Sequence, residues 1–329
     1  MSILKSYLLP GLPHILLQPQ VKTPWTALHQ AFDKVRTEIE ELNPDLILIY
    51  SSYWSSIIGH QILAKENIKW TLVDDEWHEL GSIPYTMNCD VEFAREFKRT
   101  SEARGLLSKL TDYEGFPVDT GTVTVNQLVN PKNKFKVCVT SSNIYSDRSE
   151  TQILGKAAHD AIENLNRRTV VIVISSLSNR YNIEPVNYDS QEDRISSAKD
   201  HEWNLKFLEF LSQGRLEDAS QLSRQFHREA RVTKKVVNFK PFWWWSAVAG
   251  MDNNYTGEVF EYQPVHGTGA AVVGMTRGTS SFGDLEFDED NTDFYMGNRN
   301  VLSTGGMDSG KLNITDPFTS SHEPDDEEN

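Results

Sequence analysis

The chain has 329 residues, of which 38% are apolar and 24% charged, so it can bury a large core and is not wholly disordered. Its two cysteines, Cys89 and Cys138, form no C-x-x-C pair and have no zinc-type spacing, which predicts a reducing, cytoplasmic compartment. No run of about 18 consecutive apolar residues occurs, and the N-terminus lacks a secretory pattern, so we expect neither a membrane span nor a leader.

The formal net charge of −15 is concentrated at the C-terminal end. From Thr276 onward, 13 acidic residues stand against three basic ones, interspersed with Gly, Ser, Thr and Asn in no sustained period. This composition predicts an acidic, disordered tail over residues 276–329. Acidic surfaces repel phosphate backbones, so a nucleic-acid partner is not expected.

A helix pattern followed by a strand pattern occurs twice along the chain. Apolar residues at helical spacing predict a helix over Pro24–Leu42, and the β-rich run Pro44–Tyr50 predicts a buried strand directly after it. The second pair is a helix over Thr151–Leu165 and a strand over Thr169–Ile174, and Lys136–Thr140 predicts another strand between the pairs. Helices that alternate with buried strands predict an α/β fold with a central mixed β-sheet flanked by helices.

The C-terminal part of the predicted domain has a helical pattern, an aromatic run and a glycine-rich segment. Leu216–Val232 is predicted as a helix, with Glu217, Ser220 and Arg224 on its exposed face. The aromatic run Phe242–Trp245 contains three consecutive tryptophans, and core packing, a subunit interface and a ligand site all stay open for it. The glycines of Gly267–Gly269 favour a bend into a last strand over a nucleotide-binding loop, because no helix pattern follows.

An acidic segment, Asp74–Glu79, has a composition that suggests a metal site. Its carboxylates have no spacing that converges on His78, so an exposed acidic loop is the favoured interpretation.

Eight segments, taken in order, carry a resemblance to a known family. They are Pro10–His14, Pro44–Trp54, Val73–Gly81, Tyr113–Thr122, Ser142–Tyr145, Glu192–Ile195, Arg228–Val232 and Gly267–Val272. Together they resemble the class III extradiol dioxygenase superfamily of the LigB type, and within it the noncatalytic α subunits of the 2-aminophenol 1,6-dioxygenases. The resemblance implies one LigB-like domain over residues 1–275 and, in active members, ring cleavage with O₂ on a non-haem Fe(II).

In active members, two histidines and one carboxylate bind the iron. The resemblance places the first histidine at His14. The second is the last residue of a Trp-x-x-x-x-Gly-His-His pattern, which spans Trp54–Gln61 here and ends in Gln61. The histidine that precedes this tryptophan in active members is Tyr53 here. The acid/base histidine corresponds to Asn179, and the carboxylate is expected within Thr233–Lys240, which contains no Asp or Glu. A glutamine amide is a poor ligand for Fe(II), and an asparagine amide does not titrate near neutral pH.

The sequence therefore predicts a noncatalytic, structural or regulatory subunit of a heteromeric dioxygenase acting on 2-aminophenol or a related aromatic. Fe(II) is expected in a homologous catalytic β-type partner, in an α₂β₂ assembly. The positions His14, His60, Gln61 and Asn179 are interpreted as vestigial, around a cavity that retains the capacity to bind an aromatic ligand. Two alternatives stay open: a self-sufficient Fe(II) enzyme using His14, His60 and Glu229 as ligands, and a non-enzymatic binding protein on the same fold.

Overall fold

The structure is a computed structural model that describes residues 2–178, 195, 197–229 and 240–278, with side chains left out over 224–229. Asn179, the side chain of Glu229, residues 233–239 and the predicted tail beyond residue 278 therefore lie outside the described residues. No helix within the described ranges is both long enough and apolar enough to cross a membrane.

Within the described residues, ten strands form one large sheet and one small one. They are β1 (Ile3–Leu9), β2 (Leu46–Ser56), β3 (His60–Leu63), β4 (Asn67–Val73), β5 (Ser82–Asn88), β6 (Ser108–Thr111), β7 (Lys136–Asn143), β8 (Thr169–Ile174), β9 (Tyr255–Val265) and β10 (Thr268–Arg277). The large sheet has the order β6-β3-β7-β2-β8-β1-β10-β9, and β4 pairs with β5 in a separate antiparallel hairpin. The four central strands of the large sheet, β7-β2-β8-β1, are parallel to one another. On one side, β10 pairs antiparallel with β1, and β9 pairs antiparallel with β10. On the other side, β3 pairs antiparallel with β7.

Helices cover both faces of the large sheet. They are α1 (His14–Leu17), α2 (Thr23–Leu42), α3 (Val91–Ala103), α4 (Thr120–Val129), α5 (Arg148–Leu165), α6 (Ala198–Ser212), α7 (Leu216–Glu229) and α8 (Lys240–Ala249). The side chains of α3 and of α5 to α8 pack on what we call the α5 face, and those of α1, α2 and α4 pack with the hairpin on the α2 face.

The alternation of side chains along β2 shows how the sheet separates the two cores. Leu48 and Tyr50 point to the α5 face, and Ile47 and Ile49 point to the α2 face. All four are buried, because a central parallel strand is covered on both sides. The α/β prediction with a mixed central sheet is thereby confirmed.

Most predicted elements are confirmed. The strand Thr169–Ile174 matches residue for residue, and the predicted helix Pro24–Leu42 begins one residue earlier, at Thr23. The tryptophans of α8 lie in the α5-face core, where Trp244 stacks on Tyr50 with ring centroids 5.1 Å apart.

The prediction of an exposed face on α7 is wrong for Glu217 and Ser220, which are 3% and 0% exposed. The carboxylate of Glu217 accepts hydrogen bonds from Gln221 Nε2 and from the Ser246 hydroxyl, so it is buried with polar partners on α7 and α8. A hydrophobicity pattern cannot distinguish such a paired buried polar face from a solvated one.

Candidate functional site

The central parallel strands end together at one edge of the sheet. Leu9 of β1 pairs with Ile174 of β8, which pairs in turn with Ser51 of β2. Ligands of open α/β sheets bind outside these carboxyl ends, so this edge is the candidate site. The segment after β1 leads into α1, whose first residue is His14, and so places that histidine at the same edge.

The ring of Tyr53 fills the space between the segment after β1 and the start of α4. A Cβ atom added to Gly11 would lie 2.8 Å from Tyr53 Cε2, and one added to Gly121 would lie 2.6 Å from Tyr53 Cδ2. Neither glycine can carry a side chain here without displacing the tyrosine. The position that the resemblance assigns to a histidine thus carries a ring packed into the edge.

The partly buried carboxylate of Asp119 lies at this edge and accepts hydrogen bonds from nearby groups. Its Oδ1 accepts from Ser51 Oγ at 2.8 Å and from the Thr122 amide at 2.9 Å, and its Oδ2 accepts from Thr122 Oγ1 at 2.7 Å. Burial raises the pKa of Asp119, and these hydrogen bonds act in the opposite direction. Asp119 is the N-cap of α4, so its carboxylate has a structural role.

His14 is enclosed by aromatic rings on the α2 face. Its ring stacks on Trp25 with centroids 4.9 Å apart, meets Trp77 edge-on at 5.1 Å and lies 4.8 Å from His266. His266 also contacts Trp25 at 5.4 Å and Trp77 at 5.9 Å, so the four side chains form one group, here called the four-ring cluster. His14 is only 7% exposed.

Both histidines of the cluster are held neutral. Burial lowers the pKa of His14 to about 3, and the neighbouring His266 adds to this effect. Burial likewise lowers the pKa of His266 to about 4, with a further contribution from Lys22. Among the described residues, His14 Nδ1 and His266 Nε2 are buried and have no hydrogen-bond partner, so the contacts of these two imidazoles with the cluster are made by their ring faces and edges.

The acidic segment Asp74–Glu79 positions one ring of the cluster. Asp74 Oδ1 accepts hydrogen bonds from the amides of Glu76 and Trp77 at 2.9 and 3.0 Å, and Asp74 Oδ2 accepts from Thr120 Oγ1 at 2.5 Å. The expected exposed loop is confirmed for Asp75 and Glu76. Asp74 is partly buried and ties the loop to α4, so Trp77 is held against His14.

Gln61 has local partners for its side-chain amide. Its Nε2 donates to the carbonyl of Ile58 at 2.7 Å, and its Oε1 accepts from Thr111 Oγ1 at 3.2 Å. Because side chains alternate along β3, Gln61 points to the α2 face with Leu63, and His60 points to the α5 face with Ile62.

His60 belongs to a different environment. It is buried, its Nε2 lies 3.5 Å from Ser146 Oγ, and burial together with the charge of Lys240 lowers its pKa to about 4. Lys240 donates to the carbonyl of Asn143, and burial lowers the pKa of Lys240 to about 8 despite opposing contributions from Asp147 and Glu150. This buried amine beside a neutral imidazole was not anticipated from the sequence.

The described residues do not fit a non-haem iron. Over these ranges, no three His, Cys, Asp or Glu side chains converge on a point that could hold a metal ion. His14 contacts rings on the α2 face and His60 points to the α5 face, so the set of His14, His60 and Glu229 requires ligands from both sides of the sheet. The side chain of Glu229 and all of Asn179 lie outside the described residues.

The contact of His266 with His14 could not be predicted from the sequence. His266 and Gly267 form the two-residue loop between β9 and β10, where Val265 pairs with Thr268, and both have positive φ, 49° and 83°. This is the geometry of a type I′ hairpin, in which Asn-Gly is the usual pair. The glycine-rich bend was predicted correctly, but only the tertiary structure brings its histidine onto His14.

Comparisons with known proteins agree with this fold. Residues 5–273 match the family described as the catalytic LigB subunit of aromatic ring-opening dioxygenase. An uncharacterized protein of Escherichia coli K12, JW3007, has a crystal structure that superposes with a TM-score of 0.58 at 12% identity. The superposition covers 82% of this chain and 99% of that one, and it supports the fold alone.

Two curated relatives are subunits of one enzyme. The α subunit of 2-aminophenol 1,6-dioxygenase from a Pseudomonas species is 31% identical over 275 residues, which cover 83% of this chain and 98% of that protein. The β subunit is 29% identical over 288 residues, covering 83% and 93%. By the extent of the family match and the identity to the α subunit, this chain belongs to the LigB family of aromatic ring-opening dioxygenases.

Proposed function

We propose that this chain is a noncatalytic, structural or regulatory subunit of a heteromeric extradiol-type dioxygenase. It pairs with a homologous β-type chain that holds the Fe(II), in an α₂β₂ assembly in the cytoplasm. The assembly opens 2-aminophenol or a related aromatic compound.

The observation that carries the proposal is the environment of the two positions assigned to histidine ligands. His14 is covered by Trp25, Trp77 and His266, and the Gln61 amide is hydrogen-bonded to Ile58 and Thr111. A 2-His-1-carboxylate site needs one face of ligands and an open face for substrate and O₂. Neither position offers that arrangement, so the chain's contribution to ring cleavage is assigned to assembly and regulation.

The two Pseudomonas relatives support the proposal that the partner is a homologous subunit. The Pseudomonas α and β subunits each align with 83% of this chain, so the two kinds of subunit in that enzyme are homologous to this chain and to each other. A duplicated subunit can keep its interface, and with it the stability of its partner, after its own site has lost its ligands.

A test is to purify the chain together with its homologous partner from the native host and to assay 2-aminophenol-dependent O₂ uptake. Gln61→Ala in this chain is expected to leave the turnover of the complex unchanged, because the Gln61 amide is engaged in hydrogen bonds to Ile58 and Thr111. Removal of the chain is expected to lower the activity or solubility of the partner. A loss of turnover on Gln61→Ala, with the complex intact, contradicts the proposal.

A gain-of-ligand variant provides a second test. Gln61→His and Asn179→His, combined with a carboxylate introduced within Thr233–Lys240, are expected to raise the iron affinity of the chain if these positions are assigned correctly. No gain at all would mean that they are misassigned.

A further inference from the structure

Five large apolar side chains form an exposed surface near the carboxyl edge, here called the edge patch. They are Ile57 at 62% exposed, Ile58 at 57%, Leu107 at 56%, Ile144 at 45% and Tyr145 at 78%. Single exposed apolar residues are ordinary, but a contiguous group of them marks an interaction surface.

Hydrogen bonds join the three segments that carry the patch. The amide of Ile144 donates to the carbonyl of Ser56 at 2.9 Å, which connects the end of β7 to the end of β2. The amide of His60 donates to the carbonyl of Leu107 at 2.8 Å, which connects the start of β3 to the residue before β6. The three segments that carry the five exposed side chains therefore lie next to one another.

The backbone under the patch is held in one conformation. Gly59 has φ of 63°, and a Cβ atom there would lie 2.4 Å from the Leu107 carbonyl oxygen, so only glycine fits this turn. Asn143 Nδ2 donates to the carbonyl of Gly59 at 2.9 Å, and Asn143 Oδ1 accepts from the amide of Tyr145 at 2.8 Å. A preorganised apolar surface loses little conformational entropy when a partner covers it.

We infer that the edge patch is the surface on which the homologous, iron-bearing subunit docks. This inference rests on the proposed function. The patch has no charged side chain among its five residues, and an uncharged apolar centre with isoleucine and an exposed tyrosine fits a protein partner.

The pair of curated relatives favours a homologous subunit over a second copy of this chain. The relatives come as an α and a β subunit of one enzyme, and both align with this chain.

The test uses the tagged full-length chain expressed in the native host, with recovered partners identified by mass spectrometry. Ile58→Asp and Tyr145→Asp place a charge in the patch, and Val21→Asp and Leu205→Asp are matched controls at residues that are 64% and 48% exposed on other elements. We expect each patch variant to recover about tenfold less of the LigB-family partner, and each control to recover the wild-type amount. Thermal unfolding of all four variants should match the wild type.

Hydrogen exchange on the wild-type chain provides a readout that needs no variant. The amides of Ile58 and Tyr145 should exchange more slowly in the complex than in the isolated chain. Full partner recovery by both patch variants, or equal exchange in the two states, overturns the inference while leaving the proposed function in place.

Other outcomes also separate the two proposals. Loss of a homodimer in the patch variants, or recovery of a partner outside the LigB family through the patch, overturns the assignment of the occupant. If the wild-type chain recovers no LigB-family partner at all, the proposed function fails, and the inference fails with it.

Discussion

The environments of His14 and Gln61 differ in how they depart from a metal site. At His14, the residue type suits iron, but three aromatic side chains surround the ring and burial lowers its pKa to about 3. At Gln61, the backbone lies in a regular strand beside β6, but the side chain is an amide with its own hydrogen bonds. A ligand-type residue is therefore not sufficient evidence for a site, because its neighbours decide what it can bind.

The His14 and Gln61 positions are stabilised by different kinds of interaction. The four-ring cluster is stabilised by burial and ring packing, which are worth several kcal/mol per large side chain. The Gln61 position is stabilised by individual hydrogen bonds at the sheet margin, which are worth about 1 kcal/mol each. Substitutions in the four-ring cluster should therefore lower the free energy of unfolding much more than substitutions at Gln61.

The largest expected effect is that of Trp25→Ala. Trp25 is 2% exposed and stacks on both histidines, so its truncation should lower the free energy of unfolding by about 3–5 kcal/mol. Trp70→Ala is the matched control, because Trp70 is 51% exposed, and its effect should stay within about 0.5 kcal/mol. Urea titration measures both values, and equal effects would contradict the enclosed cluster.

The next effect is a loss of stability in acid from the two histidines of the cluster. Their folded pKa values of about 3 and about 4 lie below the ordinary value of 6.5, so the unfolded chain binds more protons between these limits. This stability is present above pH 6.5 and is lost as the pH falls toward 4. For each histidine, proton binding by the unfolded chain should lower the free energy of unfolding by about 1–2 kcal/mol between pH 7 and pH 5.

His266→Asn isolates one half of this effect, because Asn-Gly is the pair that a type I′ turn prefers. The variant should keep the hairpin and reduce the acid-dependent loss by about 1–2 kcal/mol in unfolding experiments across pH. An unchanged pH profile would show that His266 is not held neutral in the folded chain.

A smaller effect is expected for the loop that holds Trp77. Asp74→Ala removes the acceptor of two amides and of the Thr120 hydroxyl, and should cost about 1–2 kcal/mol. Asp75→Ala, one residue away in the exposed part of the loop, should be nearly neutral. Thermal unfolding distinguishes them, and a neutral Asp74→Ala would mean that the loop does not position the tryptophan.

The smallest effect is expected for Gln61→Ala, which should lower the free energy of unfolding by about 0.5–1 kcal/mol. Gln61 is partly exposed, so water can replace its hydrogen-bond partners. Gln61→Glu should cost more, since a carboxylate cannot donate to the Ile58 carbonyl. Chemical denaturation of the two variants tests whether Gln61→Glu is the less stable. A Gln61→Glu variant more stable than Gln61→Ala would contradict the hydrogen bond from Gln61 to the Ile58 carbonyl.

The strands and helices of the sandwich could be predicted because their periodic patterns are local. Thr169–Ile174 contains only β-branched residues, which suits a strand covered on both faces. The short strand β3 is only four residues long and gives too brief a pattern to assign its partners.

The candidate site was less predictable, because it depends on tertiary contacts. The sequence identified His14 and Gln61, but it could not place His266 on His14 across about 250 residues of chain. It likewise could not show that Tyr53 occupies the space left by Gly11 and Gly121. The alternation that separates His60 from Gln61 was predictable, because it follows from strand geometry alone.

The proposed function requires that this chain hold no catalytic iron of its own. The most direct measurement is the iron content and 2-aminophenol-dependent O₂ uptake of the chain purified alone, after anaerobic exposure to Fe(II) and removal of excess metal. The proposed function predicts iron far below one equivalent and no O₂ uptake until the homologous partner is added. Stoichiometric iron with turnover by the chain alone would contradict it and favour the ligand set of His14, His60 and Glu229.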